Sequence, residues 1–415
     1  MRELQPTPEA PRATAPPPRA ALHARVDPGS RADAVRHLLA ARSQAVLRRD
    51  RTAFLATVDP QERAFGSRQA ALFEALQGVT FSSWTYTVDP AHEQGADAQL
   101  DAAHGTWWAP DVVLHYALRG FDRTPTAQPQ ALTFVQRAGR WFVGADDDFA
   151  PLGRTTTRDL WDGGPVTARQ GARCLVLSHP GSGLLARQVA AECEAAVPRV
   201  TNVWGPGWAQ RVVVLVPHSP VELARLVPDA GDLSQIAAVA TAELVGPAAG
   251  YHPVGDRILV NPATFSQLGR LGRRVVLTHE VTHVASRAAT GPQVPTWLVE
   301  GLADYVGYLG AGVPVGVAAE ELRSDLRIGQ LPRTLPTDEA FDGANERLPQ
   351  IYEQSWLAVR LLVSRYGEKG LLALYRATGA DGRAGSFPRA LAAVGHTTVA
   401  ELTAAWRATL TQQLG

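Results

Sequence analysis

Between Thr278 and His283 the chain reads Thr-His-Glu-Val-Thr-His, and this run restricts the fold more than any other. On an α-helix His279 and His283 lie on one face, one turn apart. So placed, two imidazoles can hold one divalent ion such as zinc, and Glu280 beside them can reach water at that ion. Val275, Val276, Val281 and Val284 surround the pair, which predicts a mostly buried helix over Gly272 to Ala289 with Thr290-Gly291-Pro292 as its stop. A second helix is predicted after Pro295-Thr296, through Trp297 to Tyr305. Glu300 and Asp304 are four apart and share a face of it. Glu300 can be a third protein ligand, and Asp304 can accept the outer N–H of a ligand histidine and so fix its orientation.

Three ligands of this kind leave a fourth zinc position to water, the arrangement of a catalytic rather than a structural site. Zinc lowers the pKa of such a water, and Glu280 is placed to take its proton. A closed structural site is disfavoured because no cysteine has ligand spacing.

The paired signature resembles the gluzincin clan of zinc metallopeptidases, whose His-Glu-x-x-His helix is followed by a helix carrying a ligand Glu. In that clan the Glu is followed by Gly, here Gly301, or by an Asp four residues on, here Asp304. Val275 to His283 with Trp297 to Tyr305 look like the clan's bacterial peptidase families, a likeness extending over about 171–415. The resemblance implies zinc bound by His279, His283 and Glu300, with Glu280 as general base and Asp304 orienting a histidine. It implies a peptide or protein substrate. The clan commonly stabilises the oxyanion with a Tyr or His from a later helix or loop. Tyr352, near the start of a helix running from Pro349 to about Arg365, is the candidate, with His252 and Tyr305 as lesser alternatives. The strand Arg257 to Val260 is expected to pair with an extended substrate as an edge strand. The clan's Gly-x-Met-Glu-Asn amine-binding motif is absent, and Gly250 to Gly255 does not replace it, so aminopeptidase activity is not expected.

At 415 residues the chain is too long for one ordinary core, which predicts two domains. A hydrophobic fraction of 45% and a charged fraction of 19% describe a globular protein. With 40 basic and 40 acidic residues, nothing favours nucleic acid or an anionic membrane. No run of about 18 apolar residues is present to span a bilayer. Lys369 is the only lysine, and the Arg, Ala, Gly and Pro usage fits a GC-rich bacterial genome. Residues 1–29, with Pro16-Pro17-Pro18, read as a disordered Pro/Ala-rich leader without the apolar core of a signal peptide. A tether of this kind slightly favours an extracytoplasmic location. Cys174 and Cys193 can form a disulfide in that setting or remain two buried thiols.

Helical periodicity runs from Ser30 to about Arg49 on the stripe Val35, Leu38, Leu39, Val46 and Leu47, and again from Gly66 to Leu76. Strands follow at Val79 to Val88 and Asp111 to Leu118, then a hairpin of Ala131 to Arg137 and Arg140 to Ala145. This order resembles the cone-shaped nuclear-transport-factor-like fold, implying an accessory domain over 30–150. Asp146-Asp147-Asp148 reads as a solvated acidic turn, and 151–170 as a linker. Beyond it come strands at Arg173 to Ser178, Arg211 to Val216, Ala237 to Leu244 and Arg257 to Val260, with helices at Leu184 to Val197 and Val221 to Leu226. From Leu268 the chain reads as almost wholly helical. The expectation is an α+β protein: an N-terminal helix and antiparallel-sheet cone, then a zincin-like metallopeptidase domain over 171–415, mixed sheet first and mainly helical later. The function expected is peptide-bond hydrolysis by metal-activated water. The alternative is an inactive zinc-binding protein that acts as a ligand- or partner-binding module through its N-terminal domain.

Overall fold

The computed structural model describes residues 28–95, 97–228, 231–245 and 252–415. Most of the expected leader lies outside them.

The chain enters with α1 (Pro28–Arg48), α2 (Arg51–Leu55) and α3 (Arg63–Leu76). Val35, Leu39 and Val46 of the predicted stripe are buried, whereas Leu47 faces outward. Asp50 caps α2 by accepting a hydrogen bond from the Ala53 N–H. Then follow β1 (Phe81–Glu93), α4 (Ala98–His104), β2 (Trp107–Trp108), β3 (Pro110–Leu118), β4 (Thr126–Gln130), β5 (Thr133–Arg137) and β6 (Arg140–Ala145). Ala138 at φ 48° and Gly139 at φ 80° make the left-handed two-residue turn that the β5–β6 hairpin requires. The strands form two antiparallel sheets, β1-β3-β4 and β2-β5-β6. The acidic turn is not simply solvated. Asp146 is buried against Arg158 and Asp148 pairs with His104.

The 151–170 segment is packed rather than a free linker. It carries a 3-10 turn at Leu160–Gly163, with Leu160 and Trp161 buried, and ends in β7 (Thr167–Gln170). Its Gly and Pro residues suggested exposure, but the Leu-Trp pair has apolar surface to bury and inserts between two layers.

Next come β8 (Cys174–Ser178), α5 (Gly183–Trp204), β9 (Val212–Val216), α6 (Pro220–Leu226), β10 (Ala238–Val245) and β11 (His252–Val260). They build a five-stranded sheet in the order β10-β11-β9-β8-β7. β8 and β11 both run parallel to β9, and the outer strands β7 and β10 are antiparallel to their neighbours. β11 is therefore interior, and β10 is the edge strand on its side of the sheet. Cys174 and Cys193 are joined by a disulfide, tying β8 to α5.

The remainder is helical: α7 (Pro262–Phe265), α8 (Arg270–Ser286), α9 (Thr296–Tyr308), α10 (Val315–Ala318), α11 (Glu320–Arg327), α12 (Leu348–Ala380), α13 (Ser386–Gly395) and α14 (Val399–Leu414). α12 breaks at Gly367, whose φ of 69° only glycine adopts freely, so its first leg ends near the predicted Arg365.

Alternation along the five-stranded sheet sets up three layers. Val176, Val214 and Ile258 pack with Val189, Leu277, Leu298 and Leu357 of the helices. Leu175, Leu177, Val213, Leu215 and Leu259 point to the other face, where they share a core with Phe81, Trp84, Tyr116 and Trp161. The two halves of this α+β protein are thus joined by a common apolar layer.

A candidate metal centre between three helices

α8 carries His279, Glu280 and His283, α9 carries Glu300 and Asp304, and α12 carries Tyr352. Small residues let these helices close on one another. A Cβ on Gly301 would collide with the Ser355 carbonyl of α12, and one on Gly307 would come 3.0 Å from the Val275 carbonyl of α8. Glycine at both positions brings α9 near each neighbour, and Glu300 directly precedes the tighter contact. Trp297, Leu298 and Leu302 fill the apolar side of α9.

The His279 Nε2 lies 2.9 Å from the His283 Nε2 and 3.1 Å from the Glu300 Oε2, and the latter two atoms are 3.4 Å apart. A tetrahedral ion with donors at about 2.0–2.1 Å separates them by about 3.3 Å, so this spacing suits a zinc-sized ion. On its other side the His279 Nδ1 lies 2.8 Å from the Asp304 Oδ1. A carboxylate can only accept, so Nδ1 carries the proton and Nε2 is free to offer its lone pair.

Burial opposes charge on the Glu300 carboxylate, but His283 and His279 outweigh it and hold the group well below the usual carboxylate range. Burial likewise disfavours a charged His279, yet Asp304 and then Glu300 and Glu280 favour one more strongly and push its pKa up. Both shifts mark a cluster whose carboxylates favour a cation where the lone pairs meet. Two imidazoles and a carboxylate are the donor set of catalytic zinc sites.

Glu280 is 6% exposed, and burial raises its pKa against the lowering effect of the two histidines. It opens onto a cleft of about 440 Å³ lined by His279, Asp304, Tyr352, Val276, Ala237 and the start of β10 at Ala238. The Tyr352 ring sits 6.1 Å from the His279 ring and 5.5 Å from that of Phe341. Its hydroxyl lies beside Glu300, and burial followed by the nearby carboxylates raises its pKa well above that of free tyrosine. Tyr305 lies away from the cleft, its hydroxyl donating to Glu368 at 2.7 Å. The side chain of His252 lies outside the described residues.

Two features of the cleft escaped the sequence reading. One is the start of β10, since strand order is not a local property. The other is Glu353, whose carboxyl accepts from the Leu322 N–H at 2.6 Å at the start of α11. Burial and then the neighbouring Glu321 push its pKa up to about 9. The signal available was the Tyr352-Glu353 pair, in which adjacent residues near a helix start both face the cleft.

No family model matches the sequence, and neither does any curated protein. Among solved structures the chain is similar to the crystal structure of an M1 zinc metallopeptidase from Deinococcus radiodurans, at 14% identity and a TM-score of 0.34, over 79% of this chain and 61% of that one. A mutant of that peptidase gives 13% identity and a TM-score of 0.33, over 80% and 61%. The chain thus spans about three fifths of the length of these neighbours. The donor geometry, rather than this likeness, carries the chemistry.

Proposed function

We propose that this chain is a zinc-dependent peptidase of the gluzincin type. The observation that supports it is the convergence of His279 Nε2, His283 Nε2 and Glu300 Oε2 beside a cleft onto which Glu280 opens. A zinc ion held by these three groups would supply Lewis-acid chemistry, polarising a carbonyl and acidifying water.

The protein's own groups then divide the work. Asp304 holds the proton on His279 Nδ1 and so keeps Nε2 a donor. Glu280, with proton affinity raised by burial, takes the proton of the attacking water and returns it to the leaving amine. Tyr352 keeps its proton at neutral pH and donates it as a hydrogen bond to the oxyanion. The outer edge of β10, from Ala238 onward, offers backbone groups to an extended peptide, a role the sequence suggested for β11. Residues 30–150 serve as an accessory layer packed behind the five-stranded sheet.

Glu280→Gln tests the reading, with zinc content and cleavage of a peptide library as the measurements. Zinc should be retained and hydrolysis lost. Undiminished turnover in the variant would sink the mechanism, and a wild-type chain that holds zinc without cutting any peptide would be the inactive zinc-binding protein.

A further inference from the structure

We propose that His179, His218 and Glu222 form a second metal site, separate from the cleft, for a divalent first-row ion of the zinc class. β8 and β9 are parallel neighbours with Ser178 opposite Val216, so their carboxyl ends lie side by side. His179 follows the first strand directly, and His218 sits two residues past the second. The crevice beyond the carboxyl ends of parallel strands is where open α/β sheets bind ligands. α6 then folds back with Ser219 capping its first turn, and Glu222 in that turn meets both imidazoles.

The Glu222 Oε1 lies 2.9 Å from the His179 Nε2, and its Oε2 lies 2.7 Å from the His218 Nδ1. Its Oε2 also accepts from the His218 backbone N–H at 2.8 Å. All three ligand atoms fall within 4.8 Å of one another. The decisive contact is on the far side of His179, whose Nδ1 is 2.9 Å from the Pro165 carbonyl. A carbonyl only accepts, so Nδ1 carries the proton and the neutral ring has its lone pair on Nε2. In that ring the lone pair faces a carboxylate oxygen, and the two repel unless a proton or a metal ion lies between them. The His279 site has the same construction: two imidazoles, one Glu, and an outer acceptor that fixes the tautomer of the more buried histidine.

Space is kept for an ion here. A Cβ on Gly163 would collide with the Glu222 Oε1 and come 3.5 Å from the His179 Nε2. Glu222 also lines a cavity of about 260 Å³ with Gly163 and Gly164, which gives an entry path to its otherwise buried carboxylate. The His218 side chain, 56% exposed, leaves the remaining coordination to solvent. Asp159 and Asp162, which share this cavity, are engaged with Tyr116, Gln128, Arg158 and the Asp159 backbone N–H, so the ion acts as a clamp. It ties the β8–α5 turn, the β9–α6 turn and, through Pro165, the Trp161 segment.

The test is zinc content of the full-length protein after chelation, reloading with Zn²⁺ and removal of excess. Wild type should hold two equivalents per chain, His283→Ala one, and His218→Ala one. In the His283→Ala background, Zn²⁺ should still raise the melting temperature by about 2–4 °C, and adding His218→Ala should abolish that shift. Because His218 is exposed, its loss should leave the fold intact, and His218→Gln repeats the test with a polar side chain. Unchanged zinc content in both His218 variants would overturn the proposal and leave a protonated His179 bridging Glu222. If only the His279 site fails to hold zinc, wild type and His283→Ala both hold one equivalent and His218→Ala holds none; a chain that holds two without cutting peptides keeps this site and loses only the peptidase reading.

Discussion

At the scale of single residues, the candidate centre is a problem of where protons sit. Asp304 does not reach the ion site, but it decides which His279 nitrogen is free. Asp304→Asn can present either a donor or an acceptor to Nδ1, so zinc affinity should fall about 10- to 100-fold, with excess zinc restoring much of the activity. Competition with a chelator measures this, and an unchanged affinity would remove Asp304 from its role. Tyr352→Phe should lower kcat about 10²- to 10³-fold with little change in KM, because the hydroxyl serves only the developing oxyanion. An unaffected rate would take Tyr352 out of the site. Glu353 gives a pH signature. Its pKa rises from 4.5 to about 9 on folding, so the native chain keeps a proton that the unfolded chain releases in that window. The protonated form's contribution to stability is complete below about pH 4.5 and is lost as pH climbs through about 9. Glu353→Gln keeps an acceptor for the Leu322 N–H without the titration. Its melting temperature should exceed wild type by about 2–4 °C at pH 9 and match it near pH 4.5.

At the scale of elements, glycine sets how closely the helices carrying the site can pack. Gly301→Ala places a methyl group against the Ser355 carbonyl, so α9 must move away from α12 and take Glu300 with it. We expect a loss of about 1–3 kcal/mol and weakened zinc binding, read by denaturant melts and metal titration. The disulfide closes a loop between residues 19 apart, and Cys193→Ala should cost about 3 kcal/mol relative to the oxidised chain. Reducing the wild-type protein should remove most of that difference. Several features decided within one element were legible in the sequence, although α4, β4 and the Leu160–Gly163 turn were not. The i, i+4 pairs on α8 and α9, the two-residue turn of the β5–β6 hairpin, and the break of α12 near Arg365 all follow from local periodicity and turn chemistry. Strand order was not legible, because pairing is decided between segments far apart in the chain. That is why β11 read as an edge although β9 and β10 flank it. The cluster of His179, His218 and Glu222 shows the same limit. His218 and Glu222 are visibly four apart, but nothing local says that β8 lies beside β9 and brings His179 to them.

At the scale of the molecule, the expected linker hid how far the halves depend on each other. The face of the five-stranded sheet formed by Leu175, Leu177, Val213 and Leu215 is covered by the N-terminal half and the Trp161 segment, together with Leu223, Val227 and Leu233. Arg257 on β11 crosses that boundary to Asp122 with two contacts of 2.8 Å, both side chains being nearly inaccessible. Removing one partner of such a pair leaves a buried charge unmatched, at a cost of about 3–5 kcal/mol. Asp122→Ala should therefore lower the melting temperature of the whole chain as a single transition, although Asp122 is in the N-terminal half and the metal centre in the other. Two separate transitions in a calorimetric scan would show that the halves fold independently. A chain starting at residue 171 sharpens the test, since it would present an apolar sheet face to water, together with the unmatched guanidinium of Arg257. It should aggregate or lose zinc at the His279 site, and a soluble, zinc-loaded fragment would return residues 30–150 to the role of a detachable accessory.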